Sequence, residues 1–406
     1  MRSTGKRLAV HLHPRAERAV KRGHPWVYAE GIRRLRHGGQ PGDLAVMFDR
    51  ENRFLAIGLY DPASPIRIRV LHRGSPRKID EEWLLGRLGA SLDRRQELRG
   101  QDTTGFRVVH GENDGLPGFV VDRYDSSLVV KLYTSAWLPH LQAVLSCLKD
   151  LIGPERVMLR LSRTVQAVAD PSAFADGQTL HGEEPSGPVI FRENGLRFEA
   201  DLVSGQKTGF FLDQRDNRAL VEGHASGGAI LDAFSYTGGF SVYAARGGAR
   251  SVTSLDASRP ALAAAERNFA HNRDDRNVSA ASHRALEGDA FELLPRLRDE
   301  GRRFDMVVLD PPAFAKAARE VPRALRSYRT ILRQGLELLR ARGVLVAASC
   351  STRISATVFV ELVQETAAAA GRALHVHHVT GHPADHPVGF PEGAYLKCVF
   401  ARVDAG

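Results

Sequence analysis

The sequence predicts an α/β protein: an open, mainly parallel sheet over the second half, preceded by a small strand-rich barrel and a central α+β unit. Three observations predict it. From about Val189 apolar strand segments alternate with helical ones. Each of those strands delivers polar residues at or just after its carboxyl end, where open sheets hold ligands. Before Ser75, short apolar alternations at Leu44 to Phe48, Phe54 to Leu59 and Ile66 to Leu71 are split by turn formers such as Gln40-Pro41-Gly42-Asp43 and Asp61-Pro62.

At 406 residues the chain is long enough for two or three domains, each with its own core. Hydrophobic residues make up 43% and charged residues 25%, which excludes wholesale disorder and a fibrous protein. No apolar run reaches the ~20 residues of a membrane helix. The stretch Met1 to His13 is basic and lacks the apolar core of a secretory signal, so the expected location is cytoplasmic. Cys147, Cys350 and Cys398 are too few and too scattered for a disulfide framework, and no Cys/His spacing suggests zinc or another metal.

The formal charge is +9, with arginine far outnumbering lysine among 56 basic residues. Charge alone leaves two readings equally open, a polyanionic partner and an arginine-rich composition set by GC-rich coding. In the barrel segment Arg15, Arg18, Lys21, Arg22, Arg33, Arg34 and Arg36 are interleaved with His24-Pro25-Trp26-Val27-Tyr28. Guanidinium groups beside aromatics suit RNA, while Trp26 and Tyr28 serve equally well as barrel core.

After Gly74-Ser75-Pro76, Asp80 to Leu98 reads as an amphipathic helix capped by Asp80, with Trp83, Leu84, Leu88 and Leu92 on one face. Strands are expected at Phe106 to His110, Gly118 to Val121, Leu128 to Tyr133 and Arg156 to Leu161, with a helix over Leu138 to Leu151. The tract Asp170 to Pro188 is rich in Gly, Pro, Ser and Asp and reads as a linker or long loop. Beyond it, strands are expected at Ala229 to Phe234, Ser251 to Asp256, His283 to Leu286, Phe304 to Asp310 and Gly343 to Ser349, and a last one at Tyr395 to Phe400. Helices open at Arg259-Pro260 and at Pro322.

The chemistry sits at those strand ends. Leu231-Asp232-Ala233-Phe234-Ser235-Tyr236-Thr237-Gly238-Gly239 is a strand and a tight glycine loop that exposes helix N–H groups to a ligand. The absence of G-x-G-x-x-G disfavours a nicotinamide dinucleotide. Asp256 ends the next strand, where a carboxylate accepts from ribose hydroxyls, and Asp289 is placed to meet an adenine amino group. Asp310-Pro311-Pro312-Ala313-Phe314 puts a carboxylate, two prolines without N–H groups and an aromatic ring at a strand end, a pattern suited to holding a planar base. Cys350, after the neighbouring strand, enters the same pocket. A thiolate there has a task, because carbon 5 of a pyrimidine is a poor nucleophile until something adds at carbon 6.

On these residues the sequence resembles the bacterial RlmI-type ribosomal RNA cytosine-C5 methyltransferases. The resemblance is carried by His24-Pro25-Trp26-Val27, Gly111 to Gly118, Gln206 to Arg215, Phe234 to Phe240, Asp310 to Lys316, Ser349-Cys350-Ser351, Phe390 to Gly393 and Tyr395 to Cys398. It implies a class I (Rossmann-like) S-adenosylmethionine methyltransferase domain over 187–406, a PUA-like RNA-binding domain over 1–74 and a central α+β domain over 75–186. It also implies 23S ribosomal RNA as partner and often a homodimer.

Cys350 would be the nucleophile and Asp310 its partner at the base edge. Lys207, Phe210, Asp213, Arg215, Asp232, Ser235, Tyr236, Gly238, Asp256, Asp289 and Asp310 would hold the cofactor; Lys21, Trp26, Arg33, Arg34 and Phe314 would touch RNA. A related branch of RNA cytosine methyltransferases has a second cysteine just after the Asp-x-Pro. Here that place is Ala313, which leaves Asp310, Glu392 and a bound water as candidates for removing the carbon 5 proton. Methylation of uracil carbon 5 or of a guanine, a non-catalytic RNA-binding protein and a dehydrogenase are the competing readings.

Overall fold

A computed structural model describes residues 7–315 and 317–404. The first six residues of the basic amino-terminal stretch and Lys316, the last residue of the Asp310 motif, lie outside them. The chain forms two compact units: one comprises residues 1–195, 200–210 and 384–390, the other 196–199, 211–383 and 391–406.

The first unit begins with a six-stranded sheet in the order Trp26–Tyr28, Ile66–Arg73, Phe54–Tyr60, Leu44–Phe48, Arg7–Leu12, Ile32–Leu35. Its alternating residues Leu8, Val10, Leu12, Ala45, Met47 and Ile68 are buried together. A five-stranded sheet follows, in the order Thr179–His181, Arg156–Leu161, Ser127–Leu132, Phe119–Tyr124, Gly105–His110. The expected loop over 170–188 thus contains a short strand, held because Thr179–His181 pairs antiparallel with the strand at Arg156–Leu161. One core runs from Ile57, Leu59 and Leu71 of the first sheet into Phe106 and Phe119 of the second and into Trp83, Leu88 and Trp137 of the helical segments beside it.

Polar side chains reinforce that join. Trp26 Nε1 donates to Glu112 Oε1 at 2.7 Å and Arg69 Nη1 donates to the same oxygen at 2.9 Å, while Thr134 Oγ1 donates to Asp61 Oδ2 at 2.5 Å. The segment 384–390 belongs to this unit through Asp385, whose side chain accepts from Arg107 N at 2.8 Å and whose carbonyl accepts from Arg95 Nη2 at 2.9 Å.

The helix expected over Asp80 to Leu98 is capped by Asp80 but spans only Glu81–Asp93, with a separate turn at Gln96–Arg99. It breaks where Arg95, 1% exposed, turns inward. Its guanidinium pairs with Asp114 through two hydrogen bonds, at 2.9 and 2.7 Å, and the Asp114 Oδ2 also accepts from His110 N at 2.6 Å.

The second unit is built on a seven-stranded sheet: β1 (Ala229–Ala233), β2 (Ser251–Asp256), β3 (Ser282–Glu287), β4 (Phe304–Leu309), β5 (Leu339–Ser349), β6 (Leu374–Thr380) and β7 (Lys397–Val403). Their order is β3-β2-β1-β4-β5-β7-β6. The first five run parallel, and β7 is antiparallel to both its neighbours. β5 starts four residues before the expected Gly343, and β7 is shifted past the expected Tyr395 to Phe400. The main helices are α1 (Arg215–His224), α2 (Gly239–Arg246), α3 (Arg259–His271), α4 (Ala290–Asp299), α5 (Val321–Leu338) and α6 (Ala356–Ala369). Apolar faces of α4, α5 and α6, including Leu294, Tyr328, Leu332 and Phe359, close over the buried strands.

Replacing Asp114 by Ala is expected to leave the Arg95 guanidinium buried without its carboxylate, at a cost of about 3–5 kcal/mol. Urea unfolding of the full chain reads this, and a loss under about 1 kcal/mol would mean that carbonyl partners suffice for Arg95.

Candidate active site

The strand order reverses between β1 and β4, so the connections leaving these two strands diverge and open a crevice beyond their carboxyl ends. Asp232 lies near the end of β1, with Asp310 directly after β4 and Cys350 directly after β5. Asp256 ends β2, and Asp289 follows β3 as the cap of α4.

The loop after β1 is shaped for close approach. Phe234 and Tyr236 adopt left-handed φ values of 63° and 48°, and Gly238 has φ 73°. A Cβ at Gly238 would stand 2.7 Å from the Ala265 Cβ, so only glycine lets α2 begin there against α3. The loop is pinned by Asp256, whose Oδ2 accepts from Tyr236 N and whose Oδ1 accepts from Ser258 N, both at 2.8 Å. Each carboxylate oxygen keeps a second lone pair for a ligand hydroxyl. Asp289 is exposed; its Oδ1 accepts from Phe291 N at 2.8 Å.

Asp232 is fully buried. Its Oδ2 accepts from Ser241 Oγ at 2.7 Å, and Ser241 continues through Ser254 Oγ at 2.7 Å to His283 Nε2 at 2.8 Å. Burial pushes the Asp232 carboxyl up to about 7, with the negative charges of Asp310 and Asp256 adding to the rise against the Ser241 hydrogen bond. Burial likewise pulls His283 down to about 4, keeping it neutral. The Asp232 Oδ1 and the Ser235 Oγ are buried without a hydrogen-bond partner among the described residues. Such atoms are costly unless a polar ligand satisfies them. An adenosyl amino acid, rich in donors, fits these residues.

Asp310 is half-buried and held in place by a chain of side chains: its Oδ2 accepts from Gln214 Nε2 at 2.9 Å, Gln214 Oε1 from Asn217 Nδ2 at 2.5 Å, and Asn217 Oδ1 from Thr380 Oγ1 at 2.5 Å. Asp213 is buried and accepts from Tyr395 Oη at 2.8 Å; Arg215, also buried, opens α1 and donates from Nε to Asp216 at 3.2 Å. Phe314, half-buried, meets the Tyr328 ring edge to face at 4.7 Å between centroids.

Cys350 is partly exposed, whereas Cys147 and Cys398 are buried. Burial raises the Cys147 thiol and raises that of Cys398 well above its ordinary value. Around Cys350 the turn is tightly braced. Tyr328 Oη donates to Ser349 Oγ at 3.0 Å, and Ser351 Oγ donates to the Ala315 carbonyl at 3.1 Å, joining the loops that follow β4 and β5. Lys397 Nζ donates to the carbonyls of Ser351, Ile354 (2.7 Å) and Tyr395 (3.2 Å).

Lys207 and Phe210 belong to the first unit. The Lys207 carbonyl accepts from Lys131 Nζ at 2.8 Å, and the Phe210 ring packs edge-on against Phe191 at 5.1 Å. On that unit Arg33 and Arg34 are exposed. Lys21 is ion-paired to Glu17 at 2.7 Å. Trp26 packs against Phe390 at 5.1 Å besides its bond to Glu112. Sequence reasoning assigned no role to Gln214, Tyr328 or Lys397, although the quoted motifs contain the first and last. Among the described residues no cluster of His, Cys, Asp or Glu could hold a metal, and no helix is long and apolar enough to cross a membrane.

A crevice of this kind at the reversal of a seven-stranded sheet with one antiparallel strand is that of a nucleoside-cofactor-dependent transferase. Residues 107–402 match the family of S-adenosylmethionine-dependent methyltransferases and residues 10–73 a PUA-like domain, and the chain belongs to that methyltransferase family. It is 47% identical over 407 residues to a ribosomal RNA large subunit methyltransferase of Deinococcus radiodurans, covering 99% of both chains. It is 35% identical to ribosomal RNA large subunit methyltransferase I of Pseudoalteromonas translucida, covering 97% of this chain and 99% of that one. A solved chain from Streptococcus mutans, described as a SAM-dependent methyltransferase, has the same fold, with a TM-score of 0.82 at 21% identity over 97% of this chain and 100% of that one.

The titration of Asp232 has a consequence for stability. Below about pH 4 both folded and unfolded chains hold its proton; between about pH 4 and 7 the unfolded chain releases it while the folded site retains it, so this group's contribution falls as pH rises through that window. The loss approaches about 4 kcal/mol near neutrality. Asp232→Asn is therefore expected to gain in melting temperature, relative to the wild type without cofactor, as pH is raised from 5 to 7. A constant difference across that range would place the carboxyl at its ordinary value.

Proposed function

We propose that this methyltransferase acts on carbon 5 of a cytosine in 23S ribosomal RNA, through a covalent adduct with Cys350. The observation that carries the reading is the placement of a partly exposed thiol and a braced carboxylate at the ends of adjacent strands β5 and β4, on the same crevice as the glycine loop. The large-subunit RNA methyltransferases to which the chain is similar over nearly its whole length support the substrate class.

Asp232, Ser235, Tyr236, Gly238, Asp256 and Asp289 would hold S-adenosylmethionine, with Asp213 and Arg215 at its amino-acid end. When bound, that cofactor supplies an electrophilic methyl group. The Cys350 thiolate adds to carbon 6 of a cytosine flipped from its stack, and Asp310 holds the base edge as the ring takes up a proton. The resulting enamine carbon 5 accepts the methyl group. The ring gives back the proton it took up, and transfer of the carbon 5 proton to a base, for which Asp310, Glu392 and a bound water are the candidates, expels the thiolate and restores the ring. A guanine target would leave Cys350 without a task, since a ring nitrogen needs no covalent activation.

Cys350→Ala is expected to lower methyl transfer by at least roughly 10³-fold, the scale on which removal of a covalent nucleophile acts. S-adenosylhomocysteine should still raise the variant's melting temperature as it does for the wild type. RNA carrying 5-fluorocytosine should trap the wild type, but not the variant, as a covalent complex, because fluorine cannot leave as the proton does. Retained methylation in the variant ends the covalent reading.

Replacing exposed Arg33 and Arg34 by Glu should reduce the slope of log affinity against log salt by roughly 1.5 to 2, the loss of two phosphate contacts. An unchanged slope removes the amino-terminal sheet from RNA binding.

A further inference from the structure

Lys397 is 3% exposed, and its ammonium lies where β7 faces the end of β5, with Lys397 directly opposite Ser349 in the pairing register. Its three acceptors are backbone carbonyls: Ser351, next to Cys350; Ile354, which closes the same turn; and Tyr395, two residues before Lys397 and just ahead of β7. An ammonium has three N–H donors, so the three carbonyls use all of them and leave none for a substrate. Among the described residues no carboxylate lies within ion-pair distance of it. A buried cation without a counter-anion is costly.

We propose that Lys397 is a positioning residue for the methyl-transfer reaction: a fixed positive charge that favours the Cys350 thiolate, on a three-carbonyl clamp that holds the 349–354 turn. This inference rests on the covalent role given to Cys350 above.

Burial pushes the Lys397 ammonium down to about 8, and the Cys350 charge acts in the opposite direction to keep it protonated. Lys397 is thus charged at neutral pH, when the reaction needs an anion beside it. Among the described residues Asp310 and Tyr328 are further titratable groups near Cys350. Burial first, then the charges of Cys350 and Asp310, raise the Tyr328 hydroxyl, so it stays neutral and donates to Ser349. Arg353, in the same turn, is exposed. Asp310 opposes a second anion, and Lys397 is a buried positive charge that offsets it. Because the ammonium is saturated by carbonyls, its role is electrostatic and geometric, and it passes no proton to the base.

The test is the pH dependence of Cys350 alkylation by iodoacetamide in the full-length protein, read by mass spectrometry of the peptide that contains Cys350. Lys397→Met should move the midpoint upward by about one unit, a tenfold loss of reactive thiolate below it, and Lys397→Arg should restore most of the shift. Methyl transfer by Lys397→Met should fall in kcat with little change in KM for S-adenosylmethionine. Should Lys397→Met fail to fold, the wild type alone decides. Its Cys350 should react at lower pH in the native chain than in the same chain unfolded in urea. Equal midpoints for the native and urea-unfolded chain, or for wild type and a folded Lys397→Met, overturn the proposal. Failure of the covalent reading shows separately, as absence of a trapped complex with 5-fluorocytosine RNA while the thiol titration shift remains.

Discussion

The reversal of strand order between β1 and β4 is the constraint on which the catalytic half depends. Parallel strands need crossover connections, and a change in their direction of progression leaves the two innermost strands with loops that part from each other. Polar residues can occupy that gap because the sheet below is covered on its faces. The cost is visible in the side chains that line it. Asp232 sits in a place where ionisation is opposed, and Asp310 and Cys350 need braces from elsewhere in the sequence.

Those braces share a design. Asp310 is oriented through Gln214, Asn217 and Thr380, and Cys350 through Ser349, Ser351, Tyr328 and Lys397. In each case the group is at a strand end and its bracing network reaches side chains distant in sequence, Gln214, Asn217 and Thr380 for Asp310 and Tyr328 and Lys397 for Cys350. Low local dielectric strengthens such bonds, and it also makes each unsatisfied partner expensive, so the networks define one arrangement rather than several.

Much of this was legible in the residues. The glycine loop, the strand-end aspartates, Asp310-Pro311-Pro312 and Cys350 stand out because strand periodicity says where a strand stops and chemistry says what belongs there. Lys397 was not legible as a functional group. In Tyr395-Leu396-Lys397-Cys398 it reads as one polar position of a terminal strand, and its acceptors at 351 and 354 become neighbours only when β7 pairs with β5. The break of the helix at Arg95 was hidden for a similar reason, since its cause is Asp114, in a different element. The strand at Thr179–His181 is too short and too polar to be told from a loop, and tertiary pairing alone creates it.

The first unit is not contiguous along the chain. Asp385, which caps the Arg107 amide and the Arg95 guanidinium, belongs to a segment that leaves the catalytic unit after Pro383 and returns to it at Pro391. During synthesis the first 195 residues emerge well before that segment exists, so the Arg107 amide and the Arg95 guanidinium must wait for a partner made only after most of the second unit. A fragment cut at residue 195 would carry this deficit permanently. The order of maturation therefore runs against the order of translation: the unit begun first is the one that cannot be finished until residues 384–390 have left the ribosome.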